Sequence, residues 1–342
     1  MTMLQGLPKV SLHCHLEGTL RPATYRELAQ HYAIDLGERT HRPDEELYAF
    51  SSFHEFLWCF RHACLTLRHP ADYGRLAQEY ADDAVRDGVA YAELFVAPAV
   101  WRRLHPELDV RAAFEAIRNA LQAAEEANGI RVALICDITR NFGVEQAEDT
   151  LEIALAMRDL GVIGIGLGGD EVAYPAEWFA AVFARAQRRG LRCVAHAGEA
   201  AGPESVRAAV ELLGAERIGH GVRALEDPAV VHLLRQRQVT LEQAPTSNRR
   251  TGIVQGQHPL HKFVAAGVRV ALDADDPALF ASSILEEYVL VAAQHGLSFI
   301  LDRAYDAIAG SFAERTLRNH LFDQLAAYDR KWRLSAPLPV SP

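Results

Sequence analysis

Eight short apolar segments alternate with longer amphipathic segments along most of this 342-residue chain. The apolar segments are rich in Val, Ile and Leu, and they cover residues 8–17, 89–98, 130–138, 162–171, 192–199, 217–221, 239–248 and 269–277. Buried parallel strands have this composition, and strict alternation of strand and helix predicts a parallel sheet with right-handed crossovers. Eight strands favour an α/β fold closed into a (β/α)8 TIM barrel, although an open doubly wound sheet gives the same local pattern.

Amphipathic segments predict helices between the strands, at 110–128, 143–160, 175–190, 203–214, 226–237 and 258–267. Two regions lie outside the alternation. Residues 34–87 are too long for one crossover helix, and the chain after residue 277 has the pattern of two or three further helices. We therefore expect a single domain over residues 1–342, with a helical insertion at about 34–87 and a C-terminal helical extension at about 280–335.

The formal net charge of -10 argues against binding to nucleic acid or to an anionic membrane surface. No apolar stretch approaches the ~18 residues that a membrane-spanning helix needs, and the first residues lack the pattern of a secretory signal. Five cysteines without a CxxC pair favour free thiols in a reducing compartment. These features predict a cytoplasmic enzyme with a small-molecule substrate. They leave open whether it is a homo-oligomer.

Polar residues gather at the carboxyl ends of the predicted strands. They are His13, His15, Glu17, Asp170, Glu171, His196, Glu199, His220, Asp275 and Asp276. In a barrel these ends converge on one face, where active sites are built. Because side chains alternate along a strand, His13 and His15 would both point into the barrel. Four imidazoles and several carboxylates at one mouth predict a metal site, whereas an isolated HxH pair would be a weak signal.

The lysine content bears on how many ions this site would hold. Barrel hydrolases with two metals bridge them with a modified lysine near the end of the fourth strand. Here the three lysines are Lys9, Lys262 and Lys331, and none lies near 162–171. The sequence therefore predicts one ion per chain. His and Asp ligands accept zinc, iron and manganese, so the residues alone do not choose among them.

The segments PKVSLHCHLEG, GLGGDE, HAGE, IGHG, PTSN and DADDP, in this order, resemble the adenosine deaminase family of barrel aminohydrolases over nearly the whole chain. The resemblance implies a zinc ion held by four residues, His13, His15, His196 and Asp275. It also implies that Glu199 donates a proton to the purine and that His220 orients the attacking water. Asp276 would contact ring nitrogen N7, and the backbone of Gly169 would contact N3.

The implied reaction is hydrolytic deamination of the 6-amino group of an adenine nucleoside. Attack of water at C6 pushes electrons onto N1, so an acid must protonate N1. Glu199 suits this role if its surroundings keep it protonated. Asp275 could accept the proton of the water as well as bind the metal. The alternative is a mononuclear barrel hydrolase that acts on a different ring or on an ester.

Departures from the family pattern bear on the substrate. Glu17 replaces the Asp of HxHLDG, which meets the ribose 5′-hydroxyl, so Glu17 is expected at the 5′ end of the substrate. Gly166 stands where the family usually has an acidic residue, and Ala244 stands where it often has cysteine. The last motif reads ALDADDP rather than SLNTDDP. None of these changes removes an implied metal ligand or Glu199.

Three substrates remain open. Glu17 and PTSNRRTG resemble the branch that acts on 6-amino-6-deoxyfutalosine, a menaquinone-pathway nucleoside with a 5′ aryl carboxylate, more than the adenosine branch. YAELFVAP differs from the usual motif of the adenine branch. A carboxylate needs an arginine partner. The candidates are Arg61, Arg68, Arg249 and Arg250, unless these are ordinary solvated side chains.

An aromatic run, FSSFHEFLWCF, lies in the predicted insertion. Phe53, Phe56 and Phe60 stand in it at helical spacing. They predict either a lid over the substrate or simply the buried face of a helix.

Overall fold

The computed structural model describes residues 2–335. Its eight strands are β1 (Lys9–His15), β2 (Val89–Val96), β3 (Arg131–Thr139), β4 (Val162–Gly168), β5 (Arg192–Ala197), β6 (Arg217–His220), β7 (Thr240–Gln243) and β8 (Arg269–Leu272). Each strand pairs in parallel with the next one along the chain. This order confirms the predicted (β/α)8 barrel.

The barrel closes through the chain that follows β8 rather than through β8 itself. The backbone N–H of Asp275 donates to the carbonyl of His13 at 3.1 Å, and the N–H of His15 donates to the carbonyl of Asp275 at 2.9 Å. Asp275 has a φ of 64°, a left-handed conformation that few non-glycine residues adopt. The two segments whose pairing closes the barrel therefore also carry three of the implied metal ligands, His13, His15 and Asp275.

Sixteen α-helices occur within residues 2–335. They are α1 (Thr2–Gln5), α2 (Pro22–His31), α3 (Phe53–Cys64), α4 (Pro70–Arg86), α5 (Pro98–Leu104), α6 (Val110–Asn128), α7 (Gly143–Ala156), α8 (Ala180–Arg188), α9 (Pro203–Glu211), α10 (Pro228–Gln236), α11 (Pro245–Arg250), α12 (Leu260–Ala265), α13 (Pro277–Phe280), α14 (Ile284–His295), α15 (Leu297–Gly310) and α16 (Arg315–Ser335). None of them is both long and apolar enough to cross a bilayer.

The helices change the expected roles of the insertion at about 34–87 and of the C-terminal extension at about 280–335. Within residues 34–87, α4 packs against α6 and so takes the place of the crossover helix between β1 and β2. The additional part of this region is α3 with the irregular chain before it. In the C-terminal region, α15 packs against β8.

The run 239–248 was expected to continue as a strand through PTSN, and the structure corrects this. β7 ends at Gln243, and α11 begins at Pro245. Proline has no N–H for a sheet hydrogen bond, and its fixed φ suits the first turn of a helix. The helix turns Ser247 and Asn248 back towards the barrel, where both are buried.

Candidate active site

Four side chains from three places in the barrel converge on one point. Nε2 of His15 lies 3.2 Å from Nε2 of His196. Oδ1 of Asp275 lies 3.4 Å from Nε2 of His13 and 3.5 Å from Nε2 of His15. All four residues are buried, and Nε2 of His13 has no hydrogen-bond partner among the residues that the structure describes. Lone pairs that face one another away from water suit a metal ion.

Two overlapping sets of ligand atoms could hold an ion here. One set is His13, His196, His220 and Asp275, and the other is His15, Asp275 and Asp276. His220 differs from the other histidines because its Nδ1 lies 2.9 Å from the amide nitrogen of Asn248. With the amide nitrogen as the donor, Nδ1 of His220 accepts and the ring proton is on Nε2, where it prevents metal binding. Whether His220 is a ligand or a hydrogen-bond donor therefore depends on where this proton is held.

Burial sets the charge of the rings. It lowers the pKa of His15 to about 3 and that of His220 to about 4, and it holds the pKa of His196 well below its usual value. These imidazoles are therefore neutral at pH 7, the form that binds metals. Burial also opposes the charge of His13, but the neighbouring carboxylates of Asp275 and Glu242 outweigh that effect and raise its pKa. This position therefore attracts a positive charge, which a metal ion would supply in place of a second ring proton.

A buried ion chain supports His13 from behind. Its Nδ1 lies 2.7 Å from Oε2 of Glu242, whose other oxygen binds Arg217. Arg217 also donates to Glu93, and all of these side chains are at most 1% exposed. A carboxylate on Nδ1 aims Nε2 at the metal position. Glu242 was not predicted, although a carboxylate within a strand that is expected to be buried was a signal that could have identified it.

Glu199 lies in the loop after β5 and is buried, with Oε1 at 3.7 Å from Nε2 of His220. Burial is the main cause that raises the pKa of Glu199 to about 8, and the charges of Asp275 and Glu171 add to it. The carboxyl group is therefore protonated at neutral pH, as a proton donor requires.

Glu171 holds the loop that carries Glu199. Its carboxylate accepts four backbone N–H bonds, from Gly198, Glu199, Ala200 and Ala201. The sequence identified Glu171 only as one polar strand-end residue among several. Its role as an anchor depends on a contact across 27 residues, which no local pattern reveals.

Asp276 and Gly169 lie on the cavity wall, as the resemblance implies. Burial, followed by the charge of Asp275, raises the pKa of Asp276 well above its usual value, and its Oδ1 has no partner. A Cβ at Gly18 would overlap the Asp276 carboxyl group. The Asp276 carboxyl group thus occupies space that is open because residue 18 is glycine, and it keeps a polar atom available beside the metal position.

Asp137 of β3 fills the space at Gly166, the position where an acidic residue was expected from the family pattern. The two residues are paired in register, and a Cβ on Gly166 would overlap the Asp137 carboxyl group. Burial raises the pKa of Asp137 to about 7. A buried carboxyl group therefore lies on this wall of the cavity, but on the neighbouring strand.

A cavity of about 390 Å³ opens above the histidines, within the size range of small-molecule sites. Its outer part is lined by six apolar side chains: Phe56, Leu57, Phe60, Val100, Leu104 and Phe142. α3 therefore covers one side of the cavity, as a lid would. The side chain of Phe53 lies outside the described residues. Phe56 also stacks on Phe280, with ring centroids 4.8 Å apart, so one helical face serves both packing and lining.

The structure corrects the expectation for Glu17. This residue is 0% exposed and does not line the cavity. Its Oε1 accepts hydrogen bonds from the backbone N–H of Ala97 at 2.8 Å and from the indole of Trp101. The longer side chain reaches the start of α5 rather than the substrate space.

The four candidate arginines differ in whether they reach the cavity. Arg61 lines the cavity, whereas Arg68, Arg249 and Arg250 do not. Arg68 lies over the ring of Tyr32, and the guanidinium of Arg250 donates to the carbonyl of Phe280. Arg103 of α5 lines the cavity with its guanidinium 4.7 Å from the ring of Phe142. Sequence reasoning missed Arg103, because nothing in WRRL tells which of its two arginines faces inwards.

Comparison with known proteins gives consistent matches. A family model described as adenosine deaminase matches residues 8–328. An aminodeoxyfutalosine deaminase from Streptomyces coelicolor is 34% identical over 338 residues, which cover 97% of this chain and 87% of that protein. An adenosine deaminase from Serratia proteamaculans is 37% identical over 305 residues, which cover 85% of this chain and 89% of that protein.

Solved structures agree with these relatives. An adenine deaminase from Arthrobacter aurescens superposes with a TM-score of 0.88 and 30% identity, covering 95% of this chain and 99% of the other. An amidohydrolase from Burkholderia ambifaria, with bound Zn, superposes with a TM-score of 0.87 and 26% identity, covering 97% and 93%. The solved structures share the fold of this chain, and the names of the matched proteins differ in substrate.

Proposed function

The chain belongs to the adenosine deaminase family and is a deaminase of purine nucleosides, and we propose that it hydrolyses the 6-amino group with the help of one zinc ion. One observation carries this proposal. A cluster of buried imidazoles and Asp275 lies beside Glu199, whose pKa is raised to about 8, at the base of one cavity.

His13, His15, His196 and Asp275 are the proposed ligands. The unpartnered Nε2 of His13, the facing Nε2 atoms of His15 and His196, and the Glu242 bond behind His13 support this set. Zinc suits these donors, and the related amidohydrolase holds Zn. A bound zinc ion lowers the pKa of water and so makes a nucleophile available near pH 7.

The remaining roles follow from where protons are held. Glu199 gives its proton to N1 as water adds to C6, which neutralises the charge that develops on the ring. The Nε2–H of His220 donates to the attacking oxygen and orients it. Asp275 accepts the proton of the water, and Ser247 donates to its Oδ2 at 2.7 Å, which holds that carboxylate in place. Asp275 then passes this proton to the amino group, the C6–N bond breaks and ammonia leaves. The proton of the new C6 hydroxyl returns to Glu199 as the 6-oxo group forms.

Two further groups hold the purine ring. Asp276 contacts N7, for which its raised pKa supplies a carboxyl proton to donate. The backbone N–H of Gly169 contacts N3. Both residues line the same cavity as Glu199, so one planar base can reach all three.

The lining of the outer part of the cavity suits a substrate with an aromatic, anionic group at the 5′ position. Arg61 and Arg103 line it together with apolar side chains, and neither guanidinium makes an ion pair within residues 2–335. Aminodeoxyfutalosine, which the Streptomyces coelicolor relative is named for, has such a group. We therefore favour it over adenosine, with adenine as a further alternative.

A panel of substrates tests the proposal. The values of kcat/KM are measured for adenine, adenosine, 5′-substituted adenosines and aminodeoxyfutalosine, by the ultraviolet change that accompanies deamination. The highest value is expected for the nucleoside with the 5′ carboxylate. If adenosine or adenine is preferred, the assignment of the outer cavity is wrong. If no 6-aminopurine reacts, the chain hydrolyses another ring or an ester and the proposed reaction is wrong.

A further inference from the structure

We propose that Asn248 and His258 form a buried relay that fixes the ring proton of His220 on Nε2. The relay makes His220 a hydrogen-bond donor to the attacking water and prevents it from acting as a metal ligand. Asn248 and His258 are positioning residues, since neither lines the cavity. The expected effects on kcat rest on the proposed deamination, whereas the position of the His220 proton does not depend on it.

Three buried side chains form the relay. The amide nitrogen Nδ2 of Asn248 lies 2.9 Å from Nδ1 of His220, and Oδ1 of Asn248 lies 3.0 Å from Nε2 of His258. Asn248 is 0% exposed, His220 is 1% exposed and His258 is 5% exposed. Both distances are those of ordinary hydrogen bonds, so the three groups are linked without water.

The direction of the relay follows from what each group can donate. Oδ1 of Asn248 only accepts, so His258 must present its proton on Nε2. Nδ1 of His258 is buried and has no hydrogen-bond partner within the described part of the chain. A buried lone pair without a partner costs less than a buried N–H group without one, which also favours the proton on Nε2. With Oδ1 so occupied, Asn248 turns its amide hydrogens towards His220. Nδ1 of His220 then accepts, and its proton is on Nε2.

The local fold explains why these residues meet. α11 begins directly after β7 and places Asn248 behind the end of β6. The backbone N–H of Val254 donates to the carbonyl of Asn248 at 2.8 Å, which ties the following loop to α11 and returns His258 to the barrel. The side chain of Gln243 donates to the carbonyl of His220, whose φ is 61°. The backbone of His220 is thus held by a residue of β7, and its ring is held by a residue of α11.

The Nε2–H group of His220 faces the space where the reaction takes place. It lies 3.7 Å from Oε1 of Glu199 and 3.9 Å from Oδ2 of Asp275. Both distances are longer than a hydrogen bond. The Nε2–H group can therefore donate a hydrogen bond to an oxygen atom that lies beside all three groups. With the proton on Nδ1 instead, the lone pair of Nε2 would join His13, His196 and Asp275, the alternative ligand set. The relay therefore decides between two functions of one ring.

The first test is Asn248→Asp, which places an acceptor beside Nδ1 and should move the His220 proton from Nε2 to Nδ1. Nitrogen-15 NMR of the zinc-loaded enzyme with labelled histidine reports the protonated nitrogen, and His220→Gln identifies the signal. We expect Nε2–H in the wild-type enzyme and Nδ1–H in the variant. We also expect kcat to fall by about 10²-fold or more, with KM within a few-fold and one zinc per chain retained, as for a lost proton-transfer group.

A second pair of variants keeps the proposal testable if Asn248→Asp does not fold. His258→Phe removes the donor that fixes the Asn248 amide, so both proton positions of His220 should be populated and kcat should fall by about tenfold. His258→Gln supplies an amide donor and should restore most of kcat. His261→Phe is the matched control, because this half-buried histidine lies three residues further along the same segment and outside the relay.

Two results would overturn the proposal: Nδ1–H on His220 in the wild-type enzyme, or wild-type kcat in His258→Phe with the Nε2–H signal unchanged. Failure of the proposed reaction gives a different result. In that case the wild-type enzyme deaminates no 6-aminopurine, while the NMR signals still report where the His220 proton is.

Discussion

Nδ1 of His13 lies 2.7 Å from Oε2 of Glu242, in a part of the barrel where neither side chain reaches solvent. Arg217 binds the other oxygen of Glu242 and also Glu93. Burial opposes the charge of Glu242, but Arg217 and His13 outweigh it and lower the pKa of Glu242. A charged carboxylate therefore holds the proton of His13 on Nδ1 and leaves the lone pair of Nε2 facing the proposed metal.

Glu242→Gln is expected to weaken zinc binding by about 10–100-fold, because the amide no longer holds His13 as a carboxylate does. Competition with a chromophoric chelator measures the zinc affinity. Glu93→Gln is the control, since it removes the carboxylate on the other side of Arg217 without touching His13. Both variants should lose stability, about 3–5 kcal/mol for a broken buried ion pair. Equal zinc affinities in the two variants would show that Glu242 does not support the site.

The activity should depend on pH through Glu199. A proton donor works in its protonated form, and the pKa of Glu199 is raised to about 8. We therefore expect kcat/KM to be retained below that value and to fall as the pH rises through it. Glu199→Gln should lower kcat by several powers of ten, beyond the ~10²–10⁴-fold typical of acid–base groups, without changing zinc content. A variant as active as the wild-type enzyme would mean that the donor is another group.

Glu171 should act through the loop that carries Glu199. Glu171→Ala leaves four backbone N–H groups without their acceptor, and each buried one costs about 1–3 kcal/mol. The loop should therefore move, and kcat should fall by about 10²-fold with zinc bound. Asp170→Ala is the control, because the neighbouring carboxylate binds only Val172 and Ala173 of its own loop. Similar losses in the two variants would contradict the anchoring role.

Most of the fold could be predicted because buried parallel strands have a composition of their own. The alternation predicts parallel strands joined by helices, and the count of eight favours the closed barrel over an open doubly wound sheet, which has the same local pattern. The ends of the strands could not be predicted so well, since an apolar run does not show where hydrogen bonding stops. In 239–248 the proline at 245 was the available signal, and it marks the start of α11.

In the candidate site, too, some residues could be predicted from the sequence and others could not. His13, His15, His196 and Asp275 carry recognisable spacings at strand ends, and the structure brings them together. The roles of Glu171 and Asn248 could not be predicted, because each acts through a partner far away in the chain, and the same holds for the partners of Glu242. Which of two adjacent side chains faces a cavity is a further property that short motifs do not contain, as Arg102 and Arg103 illustrate.

These two arginines allow a matched comparison. Both are exposed, but Arg103 lines the cavity, whereas Arg102 lies beside Asp149. Arg103→Ala should lower kcat/KM for a nucleoside with a 5′ carboxylate by about 10–100-fold, the value of a charge-assisted hydrogen bond of about 1.5–3 kcal/mol, and should leave adenosine nearly unaffected. Arg102→Ala should change neither value. An equal loss for both substrates in Arg103→Ala would remove the support for an anionic 5′ group.

Glu17 should affect stability rather than substrate choice. In Glu17→Ala the buried N–H groups of Ala97 and Trp101 lose their acceptor, at about 1–3 kcal/mol each. We expect a lower free energy of unfolding, measured with urea, and unchanged relative kcat/KM values for adenosine and 5′-substituted nucleosides. A tenfold change in that ratio without a loss of stability would place Glu17 at the substrate after all.

Glu17→Gln adds a test of the charge on the same residue. Burial raises the pKa of Glu17, so the folded protein holds this proton more tightly than the unfolded chain does. The stabilising contribution of the protonated group is complete below the unfolded pKa and is lost as the pH rises through the folded value. Glutamine does not titrate. The free energy of unfolding of the wild-type protein should therefore fall relative to that of Glu17→Gln as the pH rises, and parallel curves would show that Glu17 is ionised in the folded protein.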